Sequence, residues 1–105
     1  DVVPANTTYV PGSLAVLGGA NAGAKTDVSG DDQAEFDGGN NRVVFRLGSG
    51  AGAASGGSLA PGEGTSIRFR VQIGAAVANG TVISNVASLA FTGRTLGVNY
   101  NVATN

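Results

Sequence analysis

Five of the seven acidic residues of this chain fall between positions 27 and 37, at Asp27, Asp31, Asp32, Glu35 and Asp37. Carboxylates packed this closely repel one another. A folded chain keeps them only when they are solvated, paired with cations or bound to a metal. Cationic help nearby is thin, with Lys25 ahead of the cluster and Arg42 behind it. Dense, hard oxygen ligands suit calcium better than the other common ions. The expectation is a calcium site drawn from these five side chains and completed by backbone carbonyls. The spacing is not that of an EF-hand loop, which needs oxygens at alternate positions and a closing Glu. The plainer alternative is a solvated acidic loop.

Other chemistry finds little support. The chain has no His and no Cys, so the commonest general base and the thiolate nucleophile are both missing. No Ser stands in a G-x-S-x-G elbow. A glycosidase needs two carboxylates facing across a sugar-lined cleft. A chain with four Phe, two Tyr and no Trp has few aromatic side chains to line one. Gly48-x-Gly50-x-Gly52 lacks the further Gly of a dinucleotide loop and the Lys of a phosphate loop. Catalysis is therefore not expected. A net charge of −1 argues against nucleic acid as the main partner. No apolar run approaches the ~20 residues of a membrane-spanning helix, so no membrane insertion is expected.

The elements that must position these residues read as strands. At 105 residues the chain is one domain, residues 1–105. Period-two alternation dominates. From Thr65 to Ile73, Ile67, Phe69, Val71 and Ile73 share one phase. Val43, Phe45 and Leu47 share another, as do Leu96, Val98, Tyr100 and Val102. A longer strand is expected over Thr81–Phe91, with Asn85 on its inward side. Thr7–Val10 and Leu14–Leu17 flank a Pro11-Gly12 turn. Gly18-Gly19, Gly38-Gly39-Asn40-Asn41, Pro61-Gly62 and Asn79-Gly80 separate the strands. The Gly-, Ala- and Ser-only stretch from Gly48 to Gly57 reads as a flexible surface loop. Arg42, Arg46, Arg68 and Arg70 lie on outward phases and would make a basic stripe if their strands paired. Six or seven short strands with tight turns predict an antiparallel β-sandwich.

Several phrases, in order, resemble a known family. They are Thr8-Tyr9-Val10-Pro11-Gly12-Ser13-Leu14, Thr26-Asp27 with Gly30-Asp31-Asp32-x-Ala34-Glu35-Phe36-Asp37, Val44-Phe45-Arg46-Leu47-Gly48, Leu59-Ala60-Pro61-Gly62, Phe69-Arg70-Val71 and Ile83-Ser84-Asn85-x-Ala87. Together they resemble the conserved repeat domain of unknown function found in large bacterial and archaeal surface proteins. The match covers nearly the whole chain. It implies an Ig-like sandwich, an extracellular cell-surface location and a structural role. It also implies strands ahead of Val3-Pro4-Ala5-Asn6 that this sequence does not show. A neighbouring copy or an upstream domain could fill that gap by strand addition, or the sequence could simply start late.

The resulting expectation is a non-enzymatic structural module of a surface protein or fibre. Calcium would stabilise it, and neighbouring copies or adjacent domains would be its partners, up to a homopolymer. The competing expectation is an adhesin-type binding module that holds a glycan or protein through its loops.

Overall fold

In the computed structural model, which describes residues 1–104, the chain is all-β and antiparallel throughout. There is no helix among the described residues. Nine short strands form: β1 (Thr7–Tyr9), β2 (Ala15–Gly18), β3 (Gly23–Ala24), β4 (Ala34–Asp37), β5 (Arg42–Phe45), β6 (Ser66–Arg68), β7 (Val71–Ile73), β8 (Ala87–Gly93) and β9 (Val98–Thr104). They pair as β1-β7, β3-β2-β6, β4-β5 and β8-β9. The count exceeds six or seven because the ladders are interrupted.

The interruption between β6 and β7 has a clear cause. β1 and β2 run antiparallel to β7 and β6, with Tyr9 opposite Val71 and Ala15 opposite Arg68. Five residues separate Tyr9 from Ala15, but only two separate Arg68 from Val71. The excess bulges out at Pro11-Gly12, where Pro has no N–H to give a ladder and Gly12 takes a φ of 72°. Val10 N still donates to Arg70 O at 3.0 Å. Beyond it the Ser13 hydroxyl replaces a backbone acceptor, taking the Arg70 N–H at 2.9 Å. The strand expected over Thr65–Ile73 is therefore two strands serving two sheets.

The core lies under the first half of the chain. Val3, Tyr9, Leu14, Ala34 and Val43 are buried together, with Phe36, Phe45, Phe69 and Val71 packed against them. The rings of Tyr9 and Phe36 stack at 4.1 Å. The chain start joins this core along β5, with Val3 N donating to Asn41 O and Val43 N donating to Asp1 O. Every buried residue among those described lies at or before Gly48. The radius of gyration is 15.0 Å, against about 13 Å for a close-packed domain of this length.

The Gly-rich stretch is pinned by backbone contacts. Ser49 and Ser58 exchange N–H···O bonds of 2.8 and 3.0 Å, and Gly57 N donates to Leu47 O. A Cβ at Gly48, whose φ is 99°, would stand 2.7 Å from Ser58 O. Small residues are used here for close backbone approach. Thr81 to Val86 is irregular, and β8 begins only at Ala87. Asn85 is exposed and donates to Asp1 Oδ2 at 2.8 Å, so it does not face inward.

Leu14 is 1% exposed and Leu17 is 56% exposed, on neighbouring positions of one segment. Leu14→Ala is expected to cost about 2–4 kcal/mol through lost burial and a residual cavity. Leu17→Ala should stay within about 0.5 kcal/mol. Urea unfolding of the two variants checks the contrast, and equal losses would place the core elsewhere.

Candidate functional site

The acidic segment folds as two different things. Asp27, Asp31 and Asp32 lie in the irregular stretch before β4, whereas Glu35 and Asp37 stand on β4. In β4 the chain alternates, with Ala34 buried and Phe36 packed on the core. Glu35 and Asp37 consequently share the other face.

Each carboxylate has its own protein partners. Asp27 accepts from the Tyr9 hydroxyl at 2.6 Å and from Gly12 N at 2.8 Å. It thereby ties the acidic segment to β1 and to the bulge. Asp31 accepts from the Thr26 hydroxyl at 2.6 Å. Asp32 accepts from Thr26 N at 2.9 Å and from Ala34 N at 2.8 Å, the second bond being an Asx-type turn that leads into β4. Glu35 pairs with Arg46 at 2.9 Å, both largely shielded. Asp37 accepts from Arg42 Nε at 3.0 Å and from both nitrogens of Asn40. Only Asp31 and Asp32 converge, both on Thr26. Among the described residues no three acidic side chains come together in the manner of a metal site.

The strand pairing on which a basic stripe depended is not present among the described residues, because β5 pairs with β4 and β6 with β2. Arg42 and Arg46 are instead turned to Asp37 and Glu35. Thr26, Tyr9 and Gly12 are the partners that sequence reading missed. Thr26-Asp27 and Tyr9 lie within phrases singled out by resemblance, but nothing in their local spacing links them.

The titration of the segment follows these contacts. The Ser29 hydroxyl, then the Arg46 guanidinium, hold the Glu35 carboxyl below its ordinary range. The Asn40 side-chain amide, then Arg42, do the same for Asp37. Burial, reinforced by the bond to the Asp27 carboxylate, pushes the Tyr9 phenol up to about 12.

Two surface hollows lie elsewhere. One, of about 500 Å³, is bordered by Asn6, Thr8, Gly74, Val77 and Thr81. The other, of about 390 Å³, is bordered by Ala20, Ser49, Leu59 and Glu63. Neither is lined by an aromatic side chain.

Comparison of the chain with protein-family models, with curated proteins and with solved structures gives no match.

The pKa directions set the pH limits of stability. Glu35 and Asp37 are lowered on folding, so their contribution is full above the ordinary carboxylate range of about 4 and is lost as pH falls through the lowered values. Tyr9 is raised, so its contribution is full below about pH 10 and is lost as pH climbs towards about 12. The urea midpoint should fall beyond each limit; between them it should rise modestly as pH climbs through the ordinary amino-terminal range of about 8, because burial and then Arg42 lower the pKa of the Asp1 amino group. Tyr9→Phe should lower the midpoint between these limits yet remove this residue's share of the alkaline fall. An unchanged alkaline slope in that variant would show that Tyr9 is not shielded by burial and Asp27.

Proposed function

We propose that this chain is a non-enzymatic structural module of an extracellular surface protein or fibre that works in contact with copies of itself or with adjacent domains. One observation carries this reading. The β8-β9 hairpin is the longest element, with seven residues per strand, yet among the described residues no other strand packs against it. Its outer edges have no ladder partner. Neither strand contains a charge or a Pro, the usual guards against edge pairing. An isolated two-stranded hairpin is marginal in water, so a neighbour that adds a strand supplies both backbone partners and cover. The repeat-domain resemblance expected from the sequence phrases would imply the same role, although no family model matches the chain.

The non-enzymatic part of the proposal rests on the missing His and Cys and on the commitment of Asp27, Glu35 and Asp37 to structural bonds. A general acid or base has to reach a substrate. Here Tyr9, Arg46 and Arg42 already occupy those carboxylates. The adhesin alternative draws on the loops around the acidic segment. Hollows without aromatic lining favour it less.

Calcium belongs to the same proposal. Asp31 and Asp32, gathered on Thr26, are its first ligands, with backbone carbonyls of the 28–33 loop as further donors. Asp27, Glu35 and Asp37 would join only by leaving their present partners. Calcium that binds the folded state alone raises stability as RT ln(1 + [L]/Kd). Thermal melts in millimolar calcium should exceed those in chelator by a few degrees, and Asp31→Asn with Asp32→Asn should abolish the difference. Identical midpoints for the unaltered chain would remove calcium from the proposal.

The association itself is tested by light scattering on the chain over a concentration series. The weight-average mass should rise with concentration. A monodisperse monomer into the millimolar range, with β8-β9 stably formed, would contradict the module reading.

A further inference from the structure

We propose that the apolar face of the β8-β9 hairpin is a docking surface for the same face of a second copy of this chain. The inference rests on the self-associating reading above and specifies a contact distinct from strand addition. Strand addition uses the hairpin's edges, whereas this contact uses one of its faces.

The register sorts the hairpin's side chains cleanly. Leu89 stands opposite Val102, Phe91 opposite Tyr100 and Gly93 opposite Val98. These six share one face, because side chains alternate across a strand. Ser88, Ala90, Thr92, Asn99 and Asn101 take the other, where the Thr92 hydroxyl donates to Asn99 Oδ1 at 2.6 Å. The apolar face is orderly. Phe91 and Tyr100 stack at 4.9 Å and 15°. A Cβ at Gly93 would lie 3.1 Å from the Tyr100 ring, so the absent side chain leaves room for that ring. Leu89, Phe91, Val98, Tyr100 and Val102 are nevertheless 40–49% exposed.

The occupant follows from what the molecule offers. The covering surface must be apolar, uncharged and about two strands wide. Elsewhere the exposed large apolar residues lie singly on short strands or in irregular segments, the most exposed being Val82 in the irregular stretch before β8 and Leu96 in the hairpin turn. The hairpin face is where such side chains stand in register on one sheet, so its match on this chain is the same face of another copy. Charge permits the pairing. Arg94, in the turn between β8 and β9, is the only charged side chain from Val71 onward. A two-fold axis with the strands antiparallel puts the two Arg94 residues at opposite ends. Two such ribbons stacked about 10 Å apart are the two layers of a small sandwich.

The area sets the strength. Half-exposed side chains of these sizes leave roughly 400 Å² of apolar surface per copy, or about 800 Å² for the pair. Rim contacts bring the total near the ~1,000 Å² threshold of a specific interface. An interface at that threshold is a weak, reversible one. The contact is isologous and closes at two copies.

Sedimentation equilibrium from about 1 to 500 µM tests it on the whole chain. The unaltered protein should follow a monomer–dimer equilibrium. Leu89→Asp and Val102→Asp, opposite each other on the apolar face, should each weaken dimerisation at least 10-fold. Ala90→Asp, next in sequence but on the other face, should leave it within about 2-fold. Leu89→Thr keeps strand propensity while removing apolar surface, and should weaken the dimer even where Leu89→Asp disorders the hairpin. Assembly beyond a dimer that ignores the Leu89 and Val102 substitutions would overturn the face contact and leave strand addition standing. A monomer at every concentration would overturn the face contact and strand addition between copies, leaving adjacent domains as the proposed partners.

Discussion

The structure depends on a shortage of shared interior. Val3, Tyr9, Leu14, Ala34 and Val43 make one small core, and the strands that enclose it come from the chain start, β1, β4, β5 and the β6-β7 segment. The hairpin that follows adds two long strands but no contact with another strand. Apolar burial is the dominant favourable term in folding. The two halves of the chain are consequently held by different means. The first is held by packed side chains, the second by its own ladder. The composition beyond Val71, with Arg94 its one charged side chain, sharpens this division, because one face of the hairpin has only apolar surface to offer.

Within the first half, polar groups repair what the backbone ladder cannot provide. Pro11 and the extra residues beside it break the pairing of β1-β2 with β6-β7. The Ser13 hydroxyl and the Asp27 carboxylate take over, on Arg70 N and on Gly12 N. The Arg70 N–H is partly buried, and a buried N–H without an acceptor costs about 1–3 kcal/mol, so the Ser13 bond lets the bulge exist beside the core, while the exposed Gly12 bond ties the bulge to the acidic segment. The acidic segment acts as structural wiring. Asp27 links it to Tyr9, Asp32 turns the chain into β4, and Glu35 and Asp37 brace β4 against Arg46 and Arg42 across the β4-β5 pair.

Much of the fold was legible in alternation and turn chemistry. Val43 and Phe45 on β5, Val98 to Val102 on β9 and the break at Pro11-Gly12 all follow from period two and from proline. The break at Phe69-Arg70 was not legible. It results from the length mismatch with a partner segment more than fifty residues earlier, which no local pattern records. Asn85 read as inward for a related reason, since its phase matched a strand that in fact starts two residues later. The crowding of Asp27 to Asp37 was plain, but its division was hidden. Ala34 and Phe36 alternate with Glu35 and Asp37 over only four residues, too short to separate a strand from a loop. The partners Tyr9 and Thr26 appear only once the chain has folded back.

The proposed module would be complete only in company. Its body is a small core tied by polar links at Asp27, Asp32, Glu35 and Asp37, and its hairpin carries stacked aromatic rings, open edges and no charge within its strands. Amide hydrogen exchange followed strand by strand, in dilute and in concentrated protein, tests this most directly. The β4-β5 amides should be protected equally at both concentrations. The β8-β9 amides should exchange quickly when dilute and slow several-fold as concentration rises through the association range. Hairpin amides as protected as those of β4-β5 in dilute monomer would contradict it, because they would show that β8-β9 needs no partner.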